Sequence, residues 1–127
     1  MYPADLKYDK EHAWVRPDGE TVVIGISHFA QDQLGEVVYV DLPDVGDEVV
    51  AGETFGEIES VKSVSELFSP VSGEIVSVND DLADAPEAVN EDCYGEGWMV
   101  QVKMSDPAEL DTLLAGEDYE AFLADEA

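Results

Sequence analysis

Glu57-Ile58-Glu59-Ser60-Val61-Lys62-Ser63-Val64-Ser65-Glu66-Leu67-Phe68-Ser69-Pro70 reads as two short β runs joined by a tight polar tip, with one lysine at that tip. The chain holds 5 basic residues against 31 acidic ones, and Lys62 is the only cation between Arg16 and Lys103. A lysine at a turn is ordinarily a solvated surface residue. On a surface that otherwise excludes cations, its retention at a tip asks for a chemical reason. An ammonium set among Glu57, Glu59 and Glu66 is ill suited to Schiff-base or general-base work, which uses lysines in apolar pockets. A displayed amine unsuited to catalysis suits attachment: acylation would remove its charge and hang a group from the hairpin.

Working outward, Gly35-Glu36-Val37-Val38-Tyr39-Val40 before the hairpin matches Gly73-Glu74-Ile75-Val76-Ser77-Val78 after it at four positions of six, 38 residues apart. An internal duplication of this kind predicts a sandwich with approximate two-fold symmetry, each half covering the other's apolar face. The lysine hairpin then lies at one end. Further upstream, Trp14-Val15 and Thr21 to Ile26 flank an Asp18-Gly19 turn and read as a second hairpin. Ser27 caps a short helix through Phe29, Ala30 and Leu34, and Gly35 stops it. Tyr2 to Lys10 reads as a polar leader. Asp80 to Asn90 reads as a loop with a helical turn at Leu82, broken by Pro86. Trp98 to Met104 is the closing strand. Asp106, Pro107 and Glu109 make a capping box for a helix with a stripe at Leu110, Leu113 and Leu114, ended by Gly116. Tyr119, Phe122 and Leu123 mark a shorter final helix. The expectation is one domain over residues 1–127: a β-rich core over about 12–104 and C-terminal helices over about 106–124.

At 45% hydrophobic residues the chain has enough apolar surface for a real core despite a formal charge of -26. That charge opposes nucleic acid, whose phosphates demand Lys and Arg, and anionic membrane surfaces. A uniformly acidic, lysine-poor surface is a means halophiles use to stay soluble in concentrated salt, and a salt-adapted origin is the expectation. The lone Cys93 allows no intramolecular disulfide, and the first residues show neither a basic nor an apolar run. A reducing, cytoplasmic location without leader or membrane span is predicted.

Other chemistries find little footing. His12 and His28 lie sixteen residues apart with no paired cysteine, so no zinc spacing exists. Gly25-Ile26-Ser27-His28-Phe29 has Phe where a nucleophile elbow needs Gly. Gly95-Glu96-Gly97 precedes a strand, which excludes a dinucleotide loop. Cys93 reads as a passive thiol.

Glu59-Ser60-Val61-Lys62-Ser63, followed by Ser69-Pro70-Val71-Ser72-Gly73-Glu74, resembles the H-protein family of the glycine cleavage system. So do Leu42-Pro43-Asp44-Val45-Gly46 and Val89-Asn90-Glu91-Asp92-Cys93-Tyr94-Gly95-Glu96-Gly97-Trp98. Biotin carriers usually show Met on both sides of the lysine and dehydrogenase-complex lipoyl domains usually show Asp before it. Val61 and Ser63 match neither.

The resemblance implies a mainly β, lipoyl-type (barrel-sandwich hybrid) sandwich with short helices near the N-terminus and at the C-terminus. It implies lipoic acid in amide linkage to Lys62, and a monomeric, non-catalytic carrier. The partners implied are a pyridoxal-phosphate glycine decarboxylase, a tetrahydrofolate-dependent aminomethyltransferase, a flavin dihydrolipoamide dehydrogenase, and a lipoate ligase or lipoyl/octanoyltransferase. Family members shelter the aminomethyl-bearing arm in a surface cleft, for which Glu11, His12 and Glu66 are the candidates. The family often has His-Glu-Trp where this chain has His12-Ala13-Trp14, leaving Glu11 as the substitute carboxylate. His12 is either a cleft residue or an ordinary edge-strand residue. Two further readings stay open: an H-like carrier serving lipoate relay or another pathway, and a structural sandwich whose lysine is unmodified.

Overall fold

The structure, a computed structural model, describes residues 6–126. Ten strands run β1 (Lys7–Tyr8), β2 (Ala13–Asp18), β3 (Thr21–Ile26), β4 (Val37–Asp41), β5 (Glu48–Val49), β6 (Thr54–Ser60), β7 (Val64–Phe68), β8 (Gly73–Val78), β9 (Val100–Met104) and β10 (Leu114–Ala115). They form two open antiparallel sheets, ordered β10-β1-β2-β3-β9-β8-β5 and β4-β6-β7. Alternation builds the core between them. In β6, Ile58 and Ser60 turn inward while Glu57 and Glu59 face water. Val15, Val22, Ile24, Ile58, Ile75, Val100 and Val102 are all buried in the main cluster.

The duplicated six-residue run falls once in each sheet, as β4 and as β8. Both copies carry a register shift at the same place, between Val37 and Tyr39 and between Ile75 and Ser77. The third residue of each copy, Val37 or Ile75, is buried, and the fourth, Val38 or Val76, is thrown outward. A bulge re-aims side chains in this way, and its recurrence is the geometric trace of the repeat.

Helix α1 (His28–Leu34) keeps the predicted caps. Ser27 Oγ accepts from Ala30 N–H at 3.3 Å, and Gly35 closes the end at φ 78° with its N–H on Gln31 O. Two short helices, α2 (Asp81–Asp84) and α3 (Ala88–Glu91), flank Pro86 where a loop with one helical turn was expected.

Three expectations need correction. The polar leader, so far as residues 6–10 describe it, holds β1, whose Tyr8 is fully buried; residues 1–5 lie outside the described range. The Asp106 box does not close. Asp106 caps a 3₁₀ helix (Pro107–Thr112) through Ala108 N–H, while the Glu109 carboxylate turns away to accept from Ser72 N–H at 2.7 Å and Ser72 Oγ at 3.0 Å. Gly116 opens the last helix, α4 (Gly116–Glu126), because Leu114 and Ala115 leave the preceding turn to pair with Tyr8 and Lys7.

Candidate functional site

The tip between β6 and β7 is a four-residue turn closed by Ser60 N–H on Ser63 O at 2.8 Å. Ser60 Oγ sits inside it. It accepts from the N–H groups of Lys62 and Ser63, each at 3.2 Å, and donates to Ser63 O at 3.3 Å. Ser60 is buried because its hydroxyl substitutes for water inside the turn. From outside, Val61 N–H donates to Glu36 O at 3.0 Å. Glu36 is itself held, since Asn90 spans its neighbours: Asn90 Oδ1 accepts from Val37 N–H and Asn90 Nδ2 donates to Gly35 O. A short turn tied at this many points holds its apex in one orientation.

Lys62 stands exposed at that apex. Its stem passes over the end of α1, where a Cβ added to Gly35 would lie 3.1 Å from Lys62 Cε and 3.6 Å from Nζ. Gly35 thus serves twice, adopting the left-handed φ that ends the helix and leaving space for the lysine stem. Val61 and Ser63 are exposed beside Lys62, and Glu59 sits on the outer face of β6 opposite Val64.

A cleft of about 500 Å³ begins at Ser63 and runs between the free edge of β7 and α1. Phe29, Leu34, Ile58 and Leu67 give it apolar walls, and Glu11, His12 and Glu66 line it too. The three residues singled out by sequence are therefore brought together in one groove that starts at the lysine tip. Ala13, by contrast, is buried in the core cluster and pairs with Ile26. Among the described residues, the carboxylates lining this groove are Glu11 and Glu66. Glu66 stands opposite Glu57 in the strand register, and its Oε2 accepts from Thr54 Oγ1 at 3.2 Å.

Sequence left His12 between two roles. It lies in the β1–β2 turn at φ 72°, outside any strand, and faces the cleft. Asp9 explains the turn: its Oδ1 accepts from Glu11 N–H at 3.0 Å and Ala13 N–H at 2.9 Å, bracketing His12. Burial pushes the Asp9 carboxyl up to about 6 against the pull of those two N–H groups. His12 Nδ1 lies 2.7 Å from Tyr119 Oη, which is 2.7 Å from Ser27 Oγ, the N-cap of α1. The His12 ring rests on Phe29 with centroids 4.8 Å apart. Sequence reasoning missed Asp9, Phe29 and Tyr119. An Asp four residues before the strand was one available signal; the Tyr119 contact spans 107 residues and left none.

Among the described residues no group of three His, Cys, Asp or Glu side chains is placed to hold a metal ion. Cys93 is buried, and desolvation pushes its thiol up to about 11, as a passive thiol requires.

Comparison with known proteins points one way. The family described as "Glycine cleavage H-protein" matches residues 6–126. The chain is 55% identical over 124 residues to a glycine cleavage system H protein of Anaeromyxobacter sp. (strain K), covering 98% of this chain and 97% of that one. It is 53% identical over 126 residues to one of Carboxydothermus hydrogenoformans, covering 99% and 97%. The crystal structure of a glycine cleavage system H protein from Mycobacterium marinum superposes with a TM-score of 0.88 at 40% identity, over 96% of this chain and 98% of that one. With the lysine tip, the adjoining groove and near full-length likeness in agreement, the chain belongs to the glycine cleavage H-protein family.

Proposed function

We propose that Lys62 is the residue through which this chain carries lipoic acid. The chain's role in the glycine cleavage system is that of the lipoyl carrier. One observation carries the choice of residue: an exposed amine on a rigid turn, beside a groove that offers both apolar walls and carboxylates. A lipoyl group fits these residues, because its hydrocarbon chain suits Phe29, Leu34 and Leu67, and its amide needs only an accessible Nζ. When attached, lipoate supplies a dithiolane that accepts the carbon unit released from glycine and exchanges between disulfide and dithiol.

This chain's own residues do the rest. Ser60 and Glu36 hold the tip, so the attached arm pivots at the Lys62 side chain and not in the backbone. Glu11 and Glu66 favour a cationic cargo at the groove, and the apolar walls hold water away from it. As a non-catalytic carrier, the chain raises the effective concentration of its cargo at successive enzymes. Those enzymes are a glycine decarboxylase, an aminomethyltransferase and a dihydrolipoamide dehydrogenase, with a lipoate ligase or lipoyl/octanoyltransferase loading the lysine. A monomer in the cytoplasm is the form this reading takes; among the described residues no helix is long and apolar enough to cross a membrane.

Intact mass of protein from its native host tests the site. The expected spectrum shows one lipoyl adduct, absent from Lys62→Arg; an adduct that survives the substitution overturns the assignment. A second reading, in which the arm serves lipoate relay or another lipoyl pathway, rests on the run His12-Ala13-Trp14, which has Ala where the resemblance implies Glu. Glycine-dependent reduction of the lipoylated protein by purified partner enzymes separates the two.

A further inference from the structure

The outer face of the three-stranded sheet carries an apolar patch around the lysine tip. Val38, Tyr39, Val61 and Val64 are 41%, 55%, 65% and 59% exposed, four of the seven large hydrophobic residues that stand exposed among the described residues. Tyr39, Glu59 and Val64 lie side by side across β4, β6 and β7, and Val61 stands exposed at the tip, its N–H on Glu36 O. The other face of this sheet is core, and the groove opens beside its free edge, where Glu66, two residues from Val64, lines it.

The repeat supplies an internal control. The bulge in β4 leaves two consecutive side chains, Val38 and Tyr39, exposed, and the same bulge in β8 leaves Val76 exposed and Ser77 half-buried. The fold therefore accepts serine at this place. The sheet with the lysine tip has tyrosine there instead. An exposed aromatic that the backbone does not require marks a contact surface.

We infer that this patch is the docking surface for the acyl-transferring enzyme that loads Lys62, presenting an apolar contact ringed by basic residues. The inference rests on Lys62 being the attachment site. Glu36, Glu57 and Glu59 border the patch and call for basic residues opposite. They also oppose pairing with a second copy of a chain of net charge -26. Reach selects the loading enzyme over the enzymes that process the arm. The arm spans a dozen bonds from Lys62 Cα to its first sulfur, on the order of 15 Å, so enzymes working at the sulfurs need not cover the tip. The loading enzyme must bring an activated acyl donor to Nζ itself. There the deprotonated amine attacks the carbonyl carbon of an acyl adenylate or acyl thioester, the C–N bond forms as the C–O or C–S bond breaks, AMP or a thiol leaves, and the amine's proton passes to a base on that enzyme. Val61, Val64 and Tyr39 are the side chains such an enzyme covers.

Tyr39→Ser, which the sister strand shows the bulge tolerates, and Val64→Thr, which keeps the β-branch, test this. Each variant is incubated with a purified lipoate–protein ligase, lipoate and ATP, and the adduct is followed by mass. The expected result is a fall of about tenfold in kcat/KM, carried by KM, with the melting temperature unchanged. Variants lipoylated to completion should then be reduced by dihydrolipoamide dehydrogenase, and in the glycine-dependent assay, at the rate of the parent. Loading at the parent's rate overturns the inference; so does an equal fall in loading and in arm processing, which would make the patch a general one. Failure of the site assignment is seen separately, in the parent protein, as an adduct that persists in Lys62→Arg.

Discussion

Asp9 shows how one residue sets the mouth of the groove at a cost to stability. Its carboxylate holds the turn that carries Glu11 and His12, yet burial disfavours its charge. The folded-state value of about 6 stands above the ordinary 3.8, so the native protein binds this proton more tightly than the unfolded chain. The stabilisation from that proton is complete below about 3.8, falls as pH rises, and is gone above about 6. Asp9→Asn keeps an acceptor at Oδ1 and removes the charge. Its stability relative to the parent should climb between pH 4 and 6, by up to about 3 kcal/mol for a two-unit shift. Denaturant melts of the two proteins across that range give the difference curve, and a flat difference refutes the account. Lys62 is the contrasting case at this scale: its turn, exposure and neighbours Ser60, Val61 and Ser63 followed from local sequence because the hydrogen bonds inside the turn all lie within three residues.

At the scale of elements, local signals hold where the partner is near in sequence and fail where it is far. Ser27 and Gly35 bound α1 as read, each acting within four residues. Glu109 occupies the third position after a capping Asp106, yet Ser72, 37 residues away, offers it a hydroxyl and an N–H together and takes it. The β1 strand was illegible for a similar reason: two residues paired on both sides leave no period to read. Helix α4 shows what such distant contacts do. Tyr119 stacks on Tyr8 with ring centroids 4.7 Å apart and puts its hydroxyl between His12 and Ser27. The C-terminal helix thereby joins the groove wall to the cap of α1. Tyr119→Phe keeps the ring and removes the link, so the protein should lose about 1–3 kcal/mol. Denaturant melts measure that loss, while Lys62 should accept lipoate at the parent's rate because the tip has its own ties. A melt unchanged from the parent's would show that the hydroxyl link does not brace the groove wall against α1.

For the whole molecule, the net charge of -26 is written into the strand registers as well as the surface at large. Asp41, Glu57 and Glu66 stand in one row across β4, β6 and β7, and Glu48 faces Glu74 across β5 and β8. Like charges directly opposite one another in a sheet destabilise it, and the screening length falls from about 10 Å at 0.1 M salt to about 3 Å at 1 M. The family assignment leaves a salt-adapted origin as an expectation from charge alone. It makes a definite physical claim, however: repulsion in this sheet should weaken as salt rises, and removing the middle charge should do part of what salt does. Glu57 is that charge, with an acidic neighbour on either side. Glu57→Gln should raise the melting temperature at low salt by about 1–3 °C and lessen the further gain on raising sodium chloride to 1 M. Thermal melts of parent and variant at 0.05 M and 1 M salt, with sucrose as an uncharged control, read both effects. If the parent melts at one temperature throughout, or the variant gains as much from salt as the parent does, repulsion across the row is not what limits the stability of the sheet that carries Lys62.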